Sequence, residues 1–244
     1  KQVNVAYEVL GNPAKRSEYD STRGSAASHT ANAQRPEARP NRTQKLFTVG
    51  VCGRSGSGKG MLTEPLASIN REVLLLQADC YFRKSTSCTY NGYQCWEHTD
   101  CVDFDRLIDN LRSLKEGRDT IIHIETPWMP HVDIQISRED LRTKRMIIVD
   151  GFLIFAVQGL VDLLDCRLFV RASDFNIMER RVRRDGPAKR PYINDVVIPV
   201  SKEYERVQMG RTGIVVDGDR SKEEVVSVAI DYMRETLSRS DTST

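Results

Sequence analysis

The stretch LFTVGVCGRSGSGKG, residues 46–60, joins an apolar run directly to a glycine-rich turn. The run has the length and composition of a buried β-strand, and the turn matches the pattern G-x-x-x-x-G-K from Gly53 to Lys59. Glycines let successive backbone N–H groups turn inward around phosphate oxygens, and a helix that follows adds the positive end of its dipole. The stretch therefore predicts a strand, a phosphate-binding loop and a helix. A glycine-rich turn without a ligand is the alternative.

Position 60 departs from this pattern. The pattern continues with Ser or Thr, but Gly60 and then Met61 follow Lys59 here. The backbone of the loop needs no side chain at position 60, so phosphate binding should persist. A water molecule can fill the position that the hydroxyl would take on Mg²⁺. We therefore expect slow chemistry, which Gly60→Ser should accelerate.

Composition excludes several classes of protein. The chain has 244 residues, 39% of them apolar and 29% charged, and a formal net charge of +2. A charge this close to zero argues against a nucleic-acid partner, and no apolar run is long enough to span a bilayer. Six cysteines without a C-x-x-C pair favour a reduced intracellular compartment. The expected location is the cytoplasm, with the nucleus as a second one; the sequence does not indicate an oligomeric state.

Strand-like and helix-like segments alternate beyond residue 45. Such alternation predicts an α/β fold in which helices cover both faces of a parallel β-sheet. The last helix should begin at a capping box formed by Ser221 and Glu224. Residues 1–20 are predicted to be helical, 21–44 to be a flexible linker of small and polar residues, and 45–240 to be the folded domain. Strands are predicted at 46–52, 72–77, 120–124, 145–151, 166–170 and 213–217.

Two acidic residues lie at or just after the ends of predicted strands. Asp79 begins DCYFR (79–83), and Asp150 lies in MIIVDGFLIF (146–155). The carboxyl ends of parallel strands border the crevice in which α/β proteins bind ligands. Asp79 is therefore expected to accept or position the proton of a substrate hydroxyl, with a turn cap as the alternative. Asp150 is expected to hold Mg²⁺.

Two further segments carry residues that suit a nucleoside and a phosphate chain. In YNGYQCWEHTDCVDFD (90–105), Trp96 is expected to stack on a planar base and Glu97 to accept hydrogen bonds from ribose hydroxyls; a surface loop that caps a helix at Asp103 is the alternative. The segment ERRVRR (179–184) favours a helical lid whose arginines reach phosphate oxygens. A solvated basic face or a nucleic-acid contact are the alternatives for it.

Six segments, taken in their order along the chain, resemble the uridine kinase and phosphoribulokinase superfamily, and within it nicotinamide riboside kinase most closely. The segments are GRSGSGKG, DCYFR, WEHTD, IIVDGFLIF, ERRVRR and VVDGDRSKEEV. The resemblance covers about 45–237. It implies a P-loop NTPase fold with a helical lid, and phosphorylation of nicotinamide riboside to nicotinamide mononucleotide by ATP with Mg²⁺ in NAD salvage. A uridine or cytidine kinase is the alternative, as is a pseudokinase that binds nucleotide without transferring phosphate, because Gly60 lacks the hydroxyl.

The resemblance also implies roles for individual residues. Asp79 and Lys59 would be catalytic, and Asp150 would lie at the metal. Glu97 is one methylene longer than the family's Asp, and Asp150 is one shorter than its usual Glu. Contacts with the nucleoside are implied for Asp79, Tyr81, Trp96 and Glu97. Contacts with ATP are implied for Gly53, Arg54, Ser55, Gly56, Ser57, Gly58, Lys59, Gly60, Met61, Arg180, Arg181 and Arg184.

A second resemblance concerns the first residues of the sequence. VNVAYEVLGNPAKRSEYD (3–20) resembles the third helix of a J-domain and the segment that leaves it. The His-Pro-Asp loop, through which a J-domain stimulates Hsp70, is absent from this sequence. The expected partner is therefore a small-molecule nucleoside rather than Hsp70.

Overall fold

The computed structural model describes residues 45–241. The predictions of a helix at 1–20, a linker at 21–44 and a J-domain-like segment lie outside the described residues. None of the helices in the described part is long and apolar enough to cross a membrane.

Nine strands and eight α-helices follow one another between residues 45 and 241. The strands are β1 (Phe47–Cys52), β2 (Val73–Gln77), β3 (Thr89–Tyr90), β4 (Tyr93–Gln94), β5 (Thr120–Thr126), β6 (Met129–Ile136), β7 (Met146–Gly151), β8 (Cys166–Arg171) and β9 (Ile214–Asp217). The helices are α1 (Lys59–Ile69), α2 (Phe104–Lys115), α3 (Arg138–Leu141), α4 (Gln158–Val161), α5 (Asp174–Asp185), α6 (Arg190–Tyr192), α7 (Ile198–Met209) and α8 (Lys222–Asp241).

Five of the strands form a parallel sheet in the order β2-β7-β1-β8-β9. Within it, Asp150 of β7 lies opposite Gln77 of β2 on one side and Val51 of β1 on the other. The ends of these three strands are therefore level, and the residues that follow them meet at one edge, called here the carboxyl edge. The register thus brings the glycine loop, Asp79 and Asp150 to the same edge, as the sequence predicts for an α/β fold.

The strands of the parallel sheet are continuous apolar runs because they lie in the core. Val49, Val51, Ile148 and Leu168 are each fully buried. On one face they pack with Leu62 of α1 and with Val225, Ala229 and Met233 of α8. Helix α8 begins at the predicted capping box, in which Ser221 N donates to Glu224 Oε2 (3.1 Å) and Glu224 N donates to Ser221 Oγ (3.3 Å).

The prediction that 120–124 belongs to the parallel sheet is wrong. These residues lie in β5, which pairs antiparallel with β6 to form a separate hairpin. Burial alternates along β5, with Ile122 and Ile124 buried and Ile121 exposed to 46%. Such alternation is typical of a strand with one solvated face, whereas the strands of the parallel sheet are buried on both faces. Strand β6 and the short hairpin β3–β4 were not predicted from the sequence.

The predicted basic helix is α5, and it leads into a long helical segment. A 3₁₀ turn at Pro187–Lys189, helix α6, a π-helical stretch at Ile193–Val197 and helix α7 follow without a break. This segment packs beside the loop of 88–98, where Cys95 shares a small buried cluster with Val196 and Val200.

Candidate active site

The loop after β1 has the shape that phosphate oxygens require. Gly53, Gly56 and Gly58 all have positive φ angles, and a Cβ at Gly53 would lie 2.2 Å from the carbonyl oxygen of Val170. Only glycine fits at position 53. Lys59 Nζ donates to the carbonyl oxygens of Gly53 (2.9 Å) and Arg54 (3.4 Å). The ammonium group of Lys59 therefore lies over the loop, where it can neutralise bound phosphate.

The side chain of Arg54 points away from the place over the loop where the Lys59 ammonium group lies. The guanidinium is buried and donates to Asp174 Oδ1 (2.6 Å), Ser201 Oγ (2.8 Å) and the carbonyl oxygen of Ile198 (3.1 Å). These contacts attach the glycine loop to α5 and α7. The predicted contact between Arg54 and ATP is therefore limited to the backbone of Arg54. The sequence carried no signal that its side chain would attach the loop to α5 and α7.

Asp150 lies at the end of β7 beside the first turns of α1. Its Oδ2 accepts a hydrogen bond from Thr63 Oγ1 (2.9 Å), a contact that the sequence analysis missed. Its Oδ1 is shut off from solvent and has no hydrogen-bond partner among residues 45–241. Burial raises the pKa of Asp150 from 3.8 to about 6; Lys59 opposes this shift, and the charges of Asp79 and Glu64 add to it. A buried carboxylate oxygen without a donor is suited to a cation.

Asp79 is exposed and lies in a 3₁₀ turn that directly follows β2. Its charge acts on Asp150, on Glu97 and on Arg184, so these groups share one electrostatic environment. Tyr81, in the same turn, is fully buried, and its hydroxyl accepts a hydrogen bond from Asn110 Nδ2 (3.0 Å). The structure therefore does not support the predicted contact between Tyr81 and the substrate.

Glu97 and Arg181 form a buried ion pair. Arg181 Nη1 lies 3.5 Å from Glu97 Oε1 and 2.5 Å from Ser55 Oγ in the glycine loop. Burial raises the pKa of Glu97, and the nearby guanidinium of Arg181 opposes that shift. Oε2 of Glu97 is buried and is not hydrogen-bonded to any residue that the structure describes. Glu97 thus keeps an acceptor for a ligand hydroxyl, beside the phosphate loop.

The arginines of α5 divide into two pairs. Arg180 donates to the carbonyl oxygens of Ser57 (2.9 Å) in the glycine loop and Gly218 (2.8 Å) after β9. Arg180 and Arg181 therefore contact the loop and do not form a solvated basic face. Arg183 and Arg184 are exposed, and Arg184 Nε pairs with Asp185 Oδ1 (2.7 Å).

Four aromatic side chains gather next to the acidic residues, and we call them the aromatic cluster: Phe82, Trp96, Trp128 and Phe152. Phe82 stacks on Phe152 with ring centroids 5.8 Å apart, and Trp96 lies edge-on to Trp128 at 5.0 Å. Phe82 comes three residues after Asp79, and Phe152 two residues after Asp150. Trp128 is exposed to 59% and comes from the turn between β5 and β6. The sequence analysis missed it because it missed the hairpin.

Curated proteins similar in sequence to this chain include several uridine kinases. A uridine kinase from Chlamydia pneumoniae is 30% identical over 145 residues, which cover 57% of this chain and 64%, slightly less than two thirds, of that enzyme. A uridine kinase from Latilactobacillus sakei is 29% identical over 63% of this chain and 74% of the enzyme. The chain is similar to uridine kinase-like P-loop kinases. No protein-family model matches it.

A solved structure supports the fold. A possible uridine kinase from Bacillus stearothermophilus superposes with a TM-score of 0.51 at 15% identity, over 72% of this chain and 91% of that one. The predicted parallel sheet with flanking helices in a P-loop kinase fold is thereby confirmed. Both sequence relatives are named uridine kinases, so nicotinamide riboside as the preferred substrate finds no support in them.

Proposed function

We propose that this chain is an ATP-dependent nucleoside kinase that phosphorylates the 5′-hydroxyl of a pyrimidine nucleoside, uridine or cytidine. The observation that carries the proposal is the meeting of the glycine loop, Asp79, Asp150 with its buried Oδ1, and the aromatic cluster at the carboxyl edge of one sheet. The names of the two uridine kinases agree with it. The predicted nicotinamide riboside becomes the second substrate to test.

In the proposed reaction the oxygen of the 5′-hydroxyl attacks the γ-phosphorus of ATP. A new O–P bond forms, the bond between the γ-phosphorus and the bridging oxygen of the β-phosphate breaks, and ADP leaves. Asp79 accepts or orients the proton of the hydroxyl. The loop amides and Lys59 hold the phosphate chain, and Arg181 and Arg184 neutralise charge on it.

Mg²⁺ fits the same edge of the sheet. Asp150 offers a buried carboxylate oxygen without a donor, which is the type of ligand that Mg²⁺ prefers. When bound, the ion would neutralise negative charge on the β- and γ-phosphates. Asp150 would hold it directly or through water.

The aromatic cluster is proposed to bind the base and Glu97 to bind the ribose. A pyrimidine ring is flat and can stack on an indole face, and Trp128 keeps more than half of its surface exposed. The ion pair with Arg181 holds Glu97 at a fixed place beside the loop, which would set the distance from ribose to phosphate.

The decisive experiment offers the purified full chain ATP with Mg²⁺ and, in separate reactions, uridine, cytidine and nicotinamide riboside, and measures the monophosphates by mass spectrometry. Formation of uridine or cytidine monophosphate is the expected result. Faster formation of nicotinamide mononucleotide would restore the first interpretation of the sequence. Nucleotide binding without any product would favour the pseudokinase.

We expect Trp128→Ala and Trp96→Ala to weaken nucleoside binding while leaving ATP binding nearly unchanged. Stacking of one base on an aromatic side chain contributes roughly 1–3 kcal/mol, so the nucleoside Kd should rise roughly 5- to 150-fold. Trp128 is the cleaner test, because its exposure means that little packing is lost. Isothermal titration calorimetry with each ligand measures both affinities.

Two further variants control this prediction. Trp128→Phe keeps an aromatic face and should retain most of the affinity. Phe175→Ala removes an aromatic ring that is exposed to 72% and lies outside the cluster, so it should have no effect on nucleoside binding. Equal losses for nucleoside and ATP in the tryptophan variants would show that the two rings only stabilise the fold.

A further inference from the structure

The space beside Gly60 is occupied by the side chain of Glu64. A Cβ added at position 60 would lie 2.8 Å from Glu64 Oε1 and 3.4 Å from its carboxyl carbon. Both residues belong to α1, where positions four apart lie on the same face and side chains lean toward the N-terminus. The carboxylate of Glu64 therefore lies next to the position where the pattern G-x-x-x-x-G-K-[ST] has a hydroxyl-bearing side chain.

Glu64 also belongs to the charge environment of Asp150. The charges of Lys59, Asp79 and Glu64 all act on Asp150, so the four groups share one electrostatic environment. Lys59 supplies one positive charge against the three carboxylates, so a divalent cation would offset the repulsion that remains. Asp150 Oδ1 has no protein donor within the described part of the chain, so it remains available to a cation.

We propose that Glu64 supplies the oxygen ligand that is lost at Gly60, and that Glu64 and Asp150 together form the protein side of the divalent-cation site. Carboxylate oxygens suit Mg²⁺ and Mn²⁺, and a site of this kind needs only one or two of them because water and phosphate oxygens complete the shell. The inference rests on the proposed nucleotide site and is independent of which nucleoside is phosphorylated.

Glu64 and a serine at position 60 are alternatives to one another. A Cβ at 2.8 Å from Oε1 is closer than real contacts allow, so Gly60→Ser would push the carboxylate of Glu64 aside. The end of a flexible side chain moves at little cost, and the new hydroxyl would then take over as ligand. Gly60→Ser therefore exchanges one ligand for another, and the gain in turnover that the sequence suggested should be small.

A double-mutant cycle tests this coupling without measuring catalysis. The parent protein, Glu64→Gln, Gly60→Ser and the double variant are each titrated with the non-hydrolysable ATP analogue AMPPNP, once in EDTA and once in saturating Mn²⁺. The Kd in EDTA divided by the Kd in Mn²⁺ measures how much the bound cation contributes to nucleotide affinity. Glu139→Gln is the charge-matched control, because Glu139 of α3 is exposed and pairs with Arg142, which follows the helix.

In the parent background, Glu64→Gln should lower this ratio at least about fivefold, whereas in the Gly60→Ser background it should change it less than about twofold. Affinities in EDTA should not fall in any variant, because Glu64→Gln only removes a negative charge that repels the phosphates. A ratio that Glu64→Gln leaves unchanged, or changes equally in both backgrounds, overturns the inference while the proposed function stands. A parent protein that binds no AMPPNP under either condition overturns both.

Discussion

Asp79→Asn should lower the rate of nucleoside phosphorylation at least about a hundredfold and leave the affinity for ATP nearly unchanged. Asp79 is exposed at the carboxyl edge, so the substitution removes a charge and a proton acceptor without opening a cavity in the core. Asn has nearly the same shape but cannot take up the proton of the 5′-hydroxyl. The rate is measured with saturating uridine, and the affinity for ATP by calorimetry.

Asp109→Asn is the matched control for this prediction. Asp109 is an exposed aspartate of α2 that pairs only loosely with Arg112 at 3.4 Å, so its variant should behave like the parent. If Asp79→Asn turned over like the parent, Asp79 would merely cap the turn after β2, and the acceptor of the proton would have to be another carboxylate. Loss of ATP binding in Asp79→Asn would instead indicate that Asp79 orders the phosphate loop.

The placement of the glycine loop, Asp79 and Asp150 at one edge of the sheet could be predicted from the sequence, because the information is local. Strand, loop and helix follow one another within the stretch 46–69, and glycines, lysine and apolar residues each leave a distinct signal there. Asp79 and Asp150 follow from the rule that ligands meet the carboxyl ends of parallel strands. Their placement needs only the order of elements along the chain, with no knowledge of side-chain packing.

The remaining contacts could not be predicted because they depend on tertiary structure. Arg54 sits in the loop motif, yet its guanidinium reaches residues that lie more than a hundred positions away in the chain. Trp128 joins Trp96 only because β5 and β6 form a hairpin outside the main sheet. The sequence did carry a signal for the alternating burial of β5. Polar residues interrupt the apolar ones in TIIHIET, whereas the apolar run at the start of MIIVDG is continuous.

The position of the Glu64 side chain is a third feature of the site that could not be predicted from the sequence. Sequence spacing places Glu64 one helical turn beyond Gly60, but whether its carboxylate leans over Gly60 or extends into solvent depends on its rotamer. The absence of a hydroxyl at position 60 is visible in the sequence as a defect. The residue that can compensate for it becomes recognisable only when the space beside Gly60 is seen to be filled.

Asp150→Asn should make the cation-free protein more stable while removing the metal-dependent gain in nucleotide affinity. Asp150 has a folded pKa of about 6 against an ordinary value of 3.8, because burial disfavours its charged form. Such a group favours folding below pH 4, where both states are protonated, and this contribution is lost as the pH rises toward 6. At pH 7.5 the penalty is at most about 3 kcal/mol. Asn carries no charge, so the variant does not have this penalty.

Thermal unfolding in EDTA at two pH values measures this effect. At pH 7.5 the Tm of Asp150→Asn should exceed that of the parent by roughly 5 °C, and at pH 4.5 most of the difference should disappear. Asp231→Asn, at a highly exposed position of α8, should leave the Tm unchanged at both pH values. A lower Tm for Asp150→Asn at pH 7.5 would mean that the carboxylate stabilises the fold through its bond to Thr63. A higher Tm would mean that this chain keeps a destabilising charge at the carboxyl edge, which a bound cation can offset.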